Sequence, residues 1–169
     1  MRKGLQIAGA LGLRTQYGDG GYYGYAQVGA GVEMLGIIEY LDMVPPGKLK
    51  DYERLPFDPV EREGLRYIRG TQDEKVPLLA YMFGAKAHLG AGVKFNNRVH
   101  FIFGADEETL WRCINRYKER EEAPILGYSP DTSFPLINAE QGLLQLNLED
   151  QNSTDLRPSG GSAFTLFPT

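Results

Sequence analysis

Four acidic places in this chain fall where strands should end or helices begin: Asp42, Asp73, the Glu107-Glu108 pair and Asp131. Carboxylates gathered on one rim repel one another, so they need a cation or shared protons to stay together. A divalent metal site is the simplest such arrangement. Carboxylates without imidazole favour Mg²⁺ or Mn²⁺ over Zn²⁺, which would suit a carboxylate-only hydrolase such as a phosphatase. A blander reading stands beside this one at every position, because acids also cap helices and turns on their own account. Asp106 in particular stands where a helix cap belongs, with Glu107 and Glu108 at the positive end of the helix.

The elements that must position these acids follow from pattern. The short apolar run of Val99, Phe101 and Phe103 reads as a buried strand ending at Gly104. Leu110, Ile114 and Tyr117 then recur at helical spacing, so the helix is expected from about residue 110. Upstream, residues 2–12 read as a short helix, and the chain starts almost inside it, which implies further sequence before it. Tyr17 to Gly21 is a turn. Residues 22–28 and 32–40 read as two strands joined in a hairpin through Gly29-Ala30-Gly31. Residues 43–64, with Pro45-Pro46-Gly47 and Pro56-Phe57-Asp58-Pro59, read as a long surface loop. A helix follows with Pro77 in its first turn and Leu78, Met82 and Ala85 on its buried face. Gly127 to Asp131 is expected to turn, Phe134 to Ile137 to begin a strand, and residues 142–148 and 162–167 to supply further strands. The order predicts an α/β fold: a mixed, mostly parallel sheet with flanking helices and right-handed crossovers.

Composition narrows the function classes. The 169 residues suffice for one ordinary domain, and 42% apolar and 24% charged residues are typical of a globular protein. A net charge of −4 gives no basic footprint for nucleic acid. No apolar run has the length of a membrane span, and the first residues lack a signal peptide, so a cytoplasmic location is expected. The single Cys113 cannot form an internal disulfide and, inside a helical pattern, reads as buried filler.

Several segments together carry a resemblance. Gly70-Thr71-Gln72-Asp73-Glu74-Lys75, Phe103-Gly104-Ala105-Asp106-Glu107-Glu108-Thr109 and Ser129-Pro130-Asp131 with Phe134-Pro135 resemble the metal-site motifs of the dinuclear zinc metallopeptidases. That family includes aminoacylases, carboxypeptidases and dipeptidases, and the wording is nearest the dipeptidase V branch, which cleaves Xaa-His and β-Ala-Xaa dipeptides. Met34-Leu35-Gly36-Ile37 with Leu41-Asp42-Met43-Val44-Pro45-Pro46-Gly47 resembles the first motif, and Asp58 to Gly64 the approach to the second. Gly160-Gly161-Ser162-Ala163-Phe164 with Pro168 resembles the start of the lid domain. The resemblance implies residues 1–140 as part of a catalytic domain, and residues 141–169 as the start of a lid and dimerisation domain. It implies two Zn²⁺ ions, with Asp73 bridging them, Glu108 a ligand of one and Asp131 of the other. Glu107 is then the general base, and Asp42 the acid that orients a ligand histidine. The implied reaction is hydrolysis of short peptides by a metal-activated water.

The chain departs from the pattern at identifiable places. Tyr40 stands where the first ligand histidine is expected, and a neutral phenol is a poor replacement for imidazole on zinc. Glu39, Ile68 and Val76 replace glycines, and Ser133 and Gln141 differ from the dipeptidase wording. The family's last ligand histidine lies in a C-terminal region that this chain does not contain, so each metal is one ligand short. His88, at a helix end, and His100, well back along a strand, read as structural. The expectation is therefore an incomplete version with weak or no activity. The alternative is a non-catalytic interaction fragment whose unpaired sheet edge takes a partner chain or a second copy.

Overall fold

The computed structural model describes residues 1–132, 135–139, 141, 142 and 144. Contacts divide the chain into Met1–Ser133 and Phe134–Thr169, and the elements below belong to the first unit. In chain order they are α1 (Arg2–Ala10), β1 (Arg14–Tyr17), β2 (Tyr23–Val28), β3 (Met34–Tyr40), β4 (Val60–Arg62), β5 (Leu65–Tyr67), α2 (Val76–Gly90), β6 (Arg98–Gly104), α3 (Arg112–Arg120) and β7 (Leu126–Tyr128). A single π-turn, Thr71–Lys75, leads into α2.

Five strands form one mixed sheet in the order β1-β2-β6-β3-β7. The pairs β1–β2 and β2–β6 are antiparallel, while β6–β3 and β3–β7 are parallel. The expected mixed α/β sheet is present, with its parallel part confined to β6, β3 and β7.

Side chains along the strands alternate between two covered faces. Ala26, Val28, Ile37, Phe101 and Phe103 meet Leu5 and Ala8 of α1 and Leu78, Met82 and Ala85 of α2. Tyr23, Ile102, Tyr25 and Ile38 meet Tyr117 and Ile114 of α3 on the other face. The sequence-predicted buried stripe of α2 is thus the one that packs. Cys113 is fully buried in α3, as expected.

Several expectations need correction. The segments 22–28 and 32–40 do not form a hairpin: β6 lies between them, and β2 turns back on β1 instead. The glycines of the connecting loop serve a close approach. A Cβ on Gly29 would lie 2.1 Å from the Asn97 carbonyl oxygen, and one on Gly31 1.9 Å from that of Asn96. The loop therefore packs on the entry to β6. Residues 43–64 are not loop throughout, since β4 and β5 pair as a small hairpin there. Helix α3 begins at Arg112, and Leu110 is exposed. Leu126–Tyr128 is a strand rather than part of a turn, so Asp131 follows a strand. Residues 135–137 are not a strand. Gln141, Gly142 and Leu144 carry no regular structure, and the remainder of the strands expected at 142–148 and 162–167 lies outside the described residues.

His100 is structural, as its place in the strand implied. It is buried, its Nδ1 lies 2.8 Å from the Tyr117 hydroxyl and its Nε2 2.9 Å from Gln27 Oε1. The Tyr25 ring stacks on it with centroids 4.3 Å apart. A neutral imidazole that donates through Nε2 and accepts at Nδ1 satisfies both partners. Burial, aided by Arg98, lowers its pKa from 6.5 to about 4. The unfolded chain then binds the extra proton first, so stability falls as pH drops below about 6.5. Between pH 7 and pH 5 this group is expected to cost about 2 kcal/mol. Chemical denaturation at the two pH values checks this: replacing His100 with Asn should shrink the difference, and an unchanged difference contradicts it.

Candidate active site

Three parallel neighbours end on one rim. Tyr40, the last residue of β3, pairs with Gly104, the last of β6, and the next amide, Leu41 N–H, donates to the Gly104 carbonyl. β7 lies on the other side of β3 and runs the same way. After β3 the chain goes to α2 on one face of the sheet, and after β6 it goes to α3 on the other. Adjacent strands whose connections leave to opposite faces open a crevice beyond their carboxyl ends, and ligands of open α/β sheets bind there. The predicted site residues lie at this place.

Asp42 follows β3 and reaches the corner after β6. Its two carboxylate oxygens accept the backbone N–H groups of Glu107 and Glu108, each at 3.1 Å. The corner is fixed from below by Asp106. That carboxylate accepts from Thr109, from the Arg112 backbone N–H at 3.1 Å and from the Arg112 guanidinium at 2.7 and 2.8 Å. The guanidinium and these hydrogen bonds hold Asp106 well below the usual carboxylate range. Asp106 is thus structural, although not as the cap residue itself: α3 starts after Trp111, and the Asp106 carboxylate reaches forward to the first helical N–H, that of Arg112. The bland reading is insufficient for Glu107 and Glu108, whose main chain is tied to another strand.

Asp73 arrives in the π-turn before α2, and Asp131 in the loop after β7. Tyr40 joins them. Its hydroxyl lies between the two carboxylates, within hydrogen-bonding distance of Asp73 Oδ1 and, at 2.7 Å, of Asp131 Oδ1, and its single proton is donated to one of them at a time. Burial and these two acceptors push the phenol far above its ordinary value, so it is a protonated donor. Lys75 Nζ stands 3.4 Å from the Asp42 carbonyl, and burial lowers its pKa. Burial first, then the charges of Asp131, Glu108, Asp42 and Asp73, raises Glu107 to about 7. Burial and Asp73 raise Glu108 as well. A cavity of about 710 Å³ opens beside Asp73, lined in part by Met43, Tyr52, Arg62, Tyr67 and Arg69.

Sequence reading missed the pair beneath this rim. Glu39 is 0% and Glu74 1% exposed; among the described residues no amide, hydroxyl or cation donates to either carboxyl, and each is the other's charged neighbour. Burial, with the charge of neighbouring acids, raises both pKa values. The one available signal was Glu39 at a motif position where glycine is expected.

Peptidase family M20/M25/M40 matches residues 41–151. The chain belongs to the M20 peptidase family. A Bacillus subtilis protein named "putative dipeptidase YtjP" is 35% identical over 144 residues, which is 85% of this chain and 30% of that protein. A Staphylococcus aureus protein, also named as a dipeptidase of that kind, is 38% identical over 138 residues, 78% of this chain and 29% of its own. The chain thus spans about 30% of the length of the curated relatives it matches. Two solved structures share the fold. An M20 family metallo-carboxypeptidase from Sulfolobus solfataricus has TM-score 0.60 at 22% identity, over 72% of this chain and 30% of that one. Human carnosine dipeptidase 1 has TM-score 0.56 at 22% identity, over 71% and 29%.

Metallopeptidases of the M20 family use divalent metal ions, and the donor set here departs from such a site. Tyr40 brings a protonated phenol where the resemblance calls for imidazole, and its hydroxyl fills the position between Asp73 and Asp131. Among the described residues no group of three or more His, Cys, Asp or Glu side chains is arranged to hold a metal ion. His88 bonds its own helix at Gly84 and His100 lies in the core, so neither substitutes. The arrangement does not fit the zinc pair that the resemblance implies. The described helices include none long and apolar enough to cross a membrane.

The buried Glu39 supplies a direct test of this description. Carboxyls whose pKa values are raised in the fold, here to about 9 and about 7, favour the folded chain at low pH and cost it stability as pH rises above the ordinary carboxyl range. Glu39→Gln should flatten the fall in unfolding free energy between pH 5 and pH 8. An unchanged slope in denaturant titrations at the two pH values contradicts the buried carboxyl pair.

Proposed function

We propose that this chain is the carboxylate-bearing part of a dipeptidase-type peptide hydrolase, with little or no turnover by itself. The observation that carries the reading is the Asp42 carboxylate, which fixes the Glu107-Glu108 corner at the crevice of the parallel strands. In this assignment Glu107 is the base. Raised toward neutrality, it can take a proton from a water attacking a peptide carbonyl and hand it to the leaving amine. Asp42 positions that base by holding the backbone on which it stands. Asp73, Glu108 and Asp131 are the metal-side acids. The cavity beside Asp73 is of a size that takes small ligands, and a short peptide is the proposed occupant. The dipeptidase names of the curated relatives support this substrate class. The finer assignment to zinc and to the dipeptidase V branch rests on the motif wording.

A second reading, an interaction fragment, is favoured by one observation: Ile125 and Leu126, at the outer strand β7, are 69% and 67% exposed. A partner chain or a second copy would cover them. Size-exclusion chromatography separates the two readings, since a clean monomer argues against the interaction fragment.

The expected result for the purified chain with zinc is no detectable hydrolysis of dipeptides. Robust zinc-dependent turnover contradicts the proposal. Tyr40→His is expected to bind zinc more tightly in calorimetric titration without gaining full activity. Equal affinities of the two forms would count against the site.

A further inference from the structure

Tyr40 is more than an absent ligand. Its hydroxyl sits between the acid that the resemblance makes the bridge and the acid it gives to one of the two metals, within hydrogen-bonding distance of both. The residue is 3% exposed, as the end of a strand flanked by β6 and β7 requires, so the side chain is held in place by the sheet. Asp73 comes from the π-turn and Asp131 from the loop after β7, and no other described side chain hydrogen-bonds either carboxylate. We propose that Tyr40 is a clasp: its hydroxyl takes the place of a cation between Asp73 and Asp131 and holds the rim closed in a metal-free form. This rests on the assignment of these two acids as the metal-side acids, and it adds that the phenol competes with the metal for them.

The competition is geometric. A zinc ion bound to carboxylate oxygen lies about 2.0–2.2 Å from it, and the Tyr40 oxygen already occupies hydrogen-bonding distance from both oxygens, at 2.7 Å for Asp131. Metal and hydroxyl cannot hold that position together. By linkage, whatever the clasp contributes to the metal-free fold must be given up when metal enters. A residue that merely failed to ligate would leave the carboxylates open, and its hydroxyl would be irrelevant to metal affinity. The clasp makes the opposite statement. Deleting one oxygen, without adding any ligand, tightens metal binding.

The test is a zinc titration by calorimetry of the full 169-residue chain and its Tyr40→Phe variant, with thermal unfolding of both in chelator and in zinc. Tyr40→Phe is expected to bind zinc at least tenfold more tightly than the unaltered chain. Its unfolding midpoint should fall in chelator, where the two carboxylates lose their shared donor, and recover in zinc. An affinity equal to or weaker than that of the unaltered chain overturns the clasp. The unaltered chain gives a separate readout that no folding defect can obscure. Its midpoint should be the same in chelator and in zinc, and a midpoint raised by zinc overturns the proposal. Tyr40→His in the same series distinguishes the two claims. A gain with His but none with Phe rejects the clasp and leaves the acid assignment standing, whereas no gain with either rejects the assignment beneath it as well.

Discussion

The parallel pairing of β3 with β6 is the constraint on which the site depends. Tyr40 opposite Gly104 brings two strand ends level, and everything beyond them follows within a few residues. Asp42 is two residues past Tyr40, and the amides of Glu107 and Glu108 are three and four past Gly104, so one carboxylate can span both. Backbone N–H groups at a corner need acceptors, and a carboxylate from the neighbouring strand supplies them with charge-assisted strength. The same pairing orients the two crossovers to opposite faces, which opens the crevice. A shift of register by one residue would turn Tyr40 away from Asp73 and Asp131.

Against that frame, the rim is a problem in electrostatics solved with hydrogen bonds. Five acids gather there, and two more, Glu39 and Glu74, lie buried beside each other with no donor group from elsewhere among the described residues. Asp106 is paired with Arg112, and Asp42 accepts two backbone amides. Asp73 and Asp131 share the Tyr40 hydroxyl. Lys75, the cation nearest the group, addresses the Asp42 carbonyl rather than a carboxylate. The side chain of Tyr40 explains how two of them, Asp73 and Asp131, are held together.

Much of this was legible in the sequence where a local pattern was decisive. β6 and α2 show in their apolar runs, and the acids were placed at strand ends before any pairing was known. Which strands are neighbours was not legible. Gly29 and Gly31 have the look of a hairpin turn, and their requirement is instead the close passage of the Asn96 and Asn97 carbonyls. Long-range approach of this kind leaves no periodicity. β1 escaped notice because Arg14, Thr15, Gln16 and Tyr17 are all exposed, so the strand lacks alternation. β7 is three residues long and contains a glycine. Tyr40 was recognised as a departure, but that its hydroxyl would reach two carboxylates from distant segments required the fold. The Glu39–Glu74 burial arises from the same cause, since only tertiary packing removes them from water.

What lies between Asp73 and Asp131 decides how this rim is held. A crystal structure of the chain grown in excess zinc addresses this most directly. The account predicts the Tyr40 hydroxyl within hydrogen-bonding distance of both carboxylates, with no ion between them. A zinc ion bridging Asp73 and Asp131, with the Tyr40 side chain displaced, would contradict it.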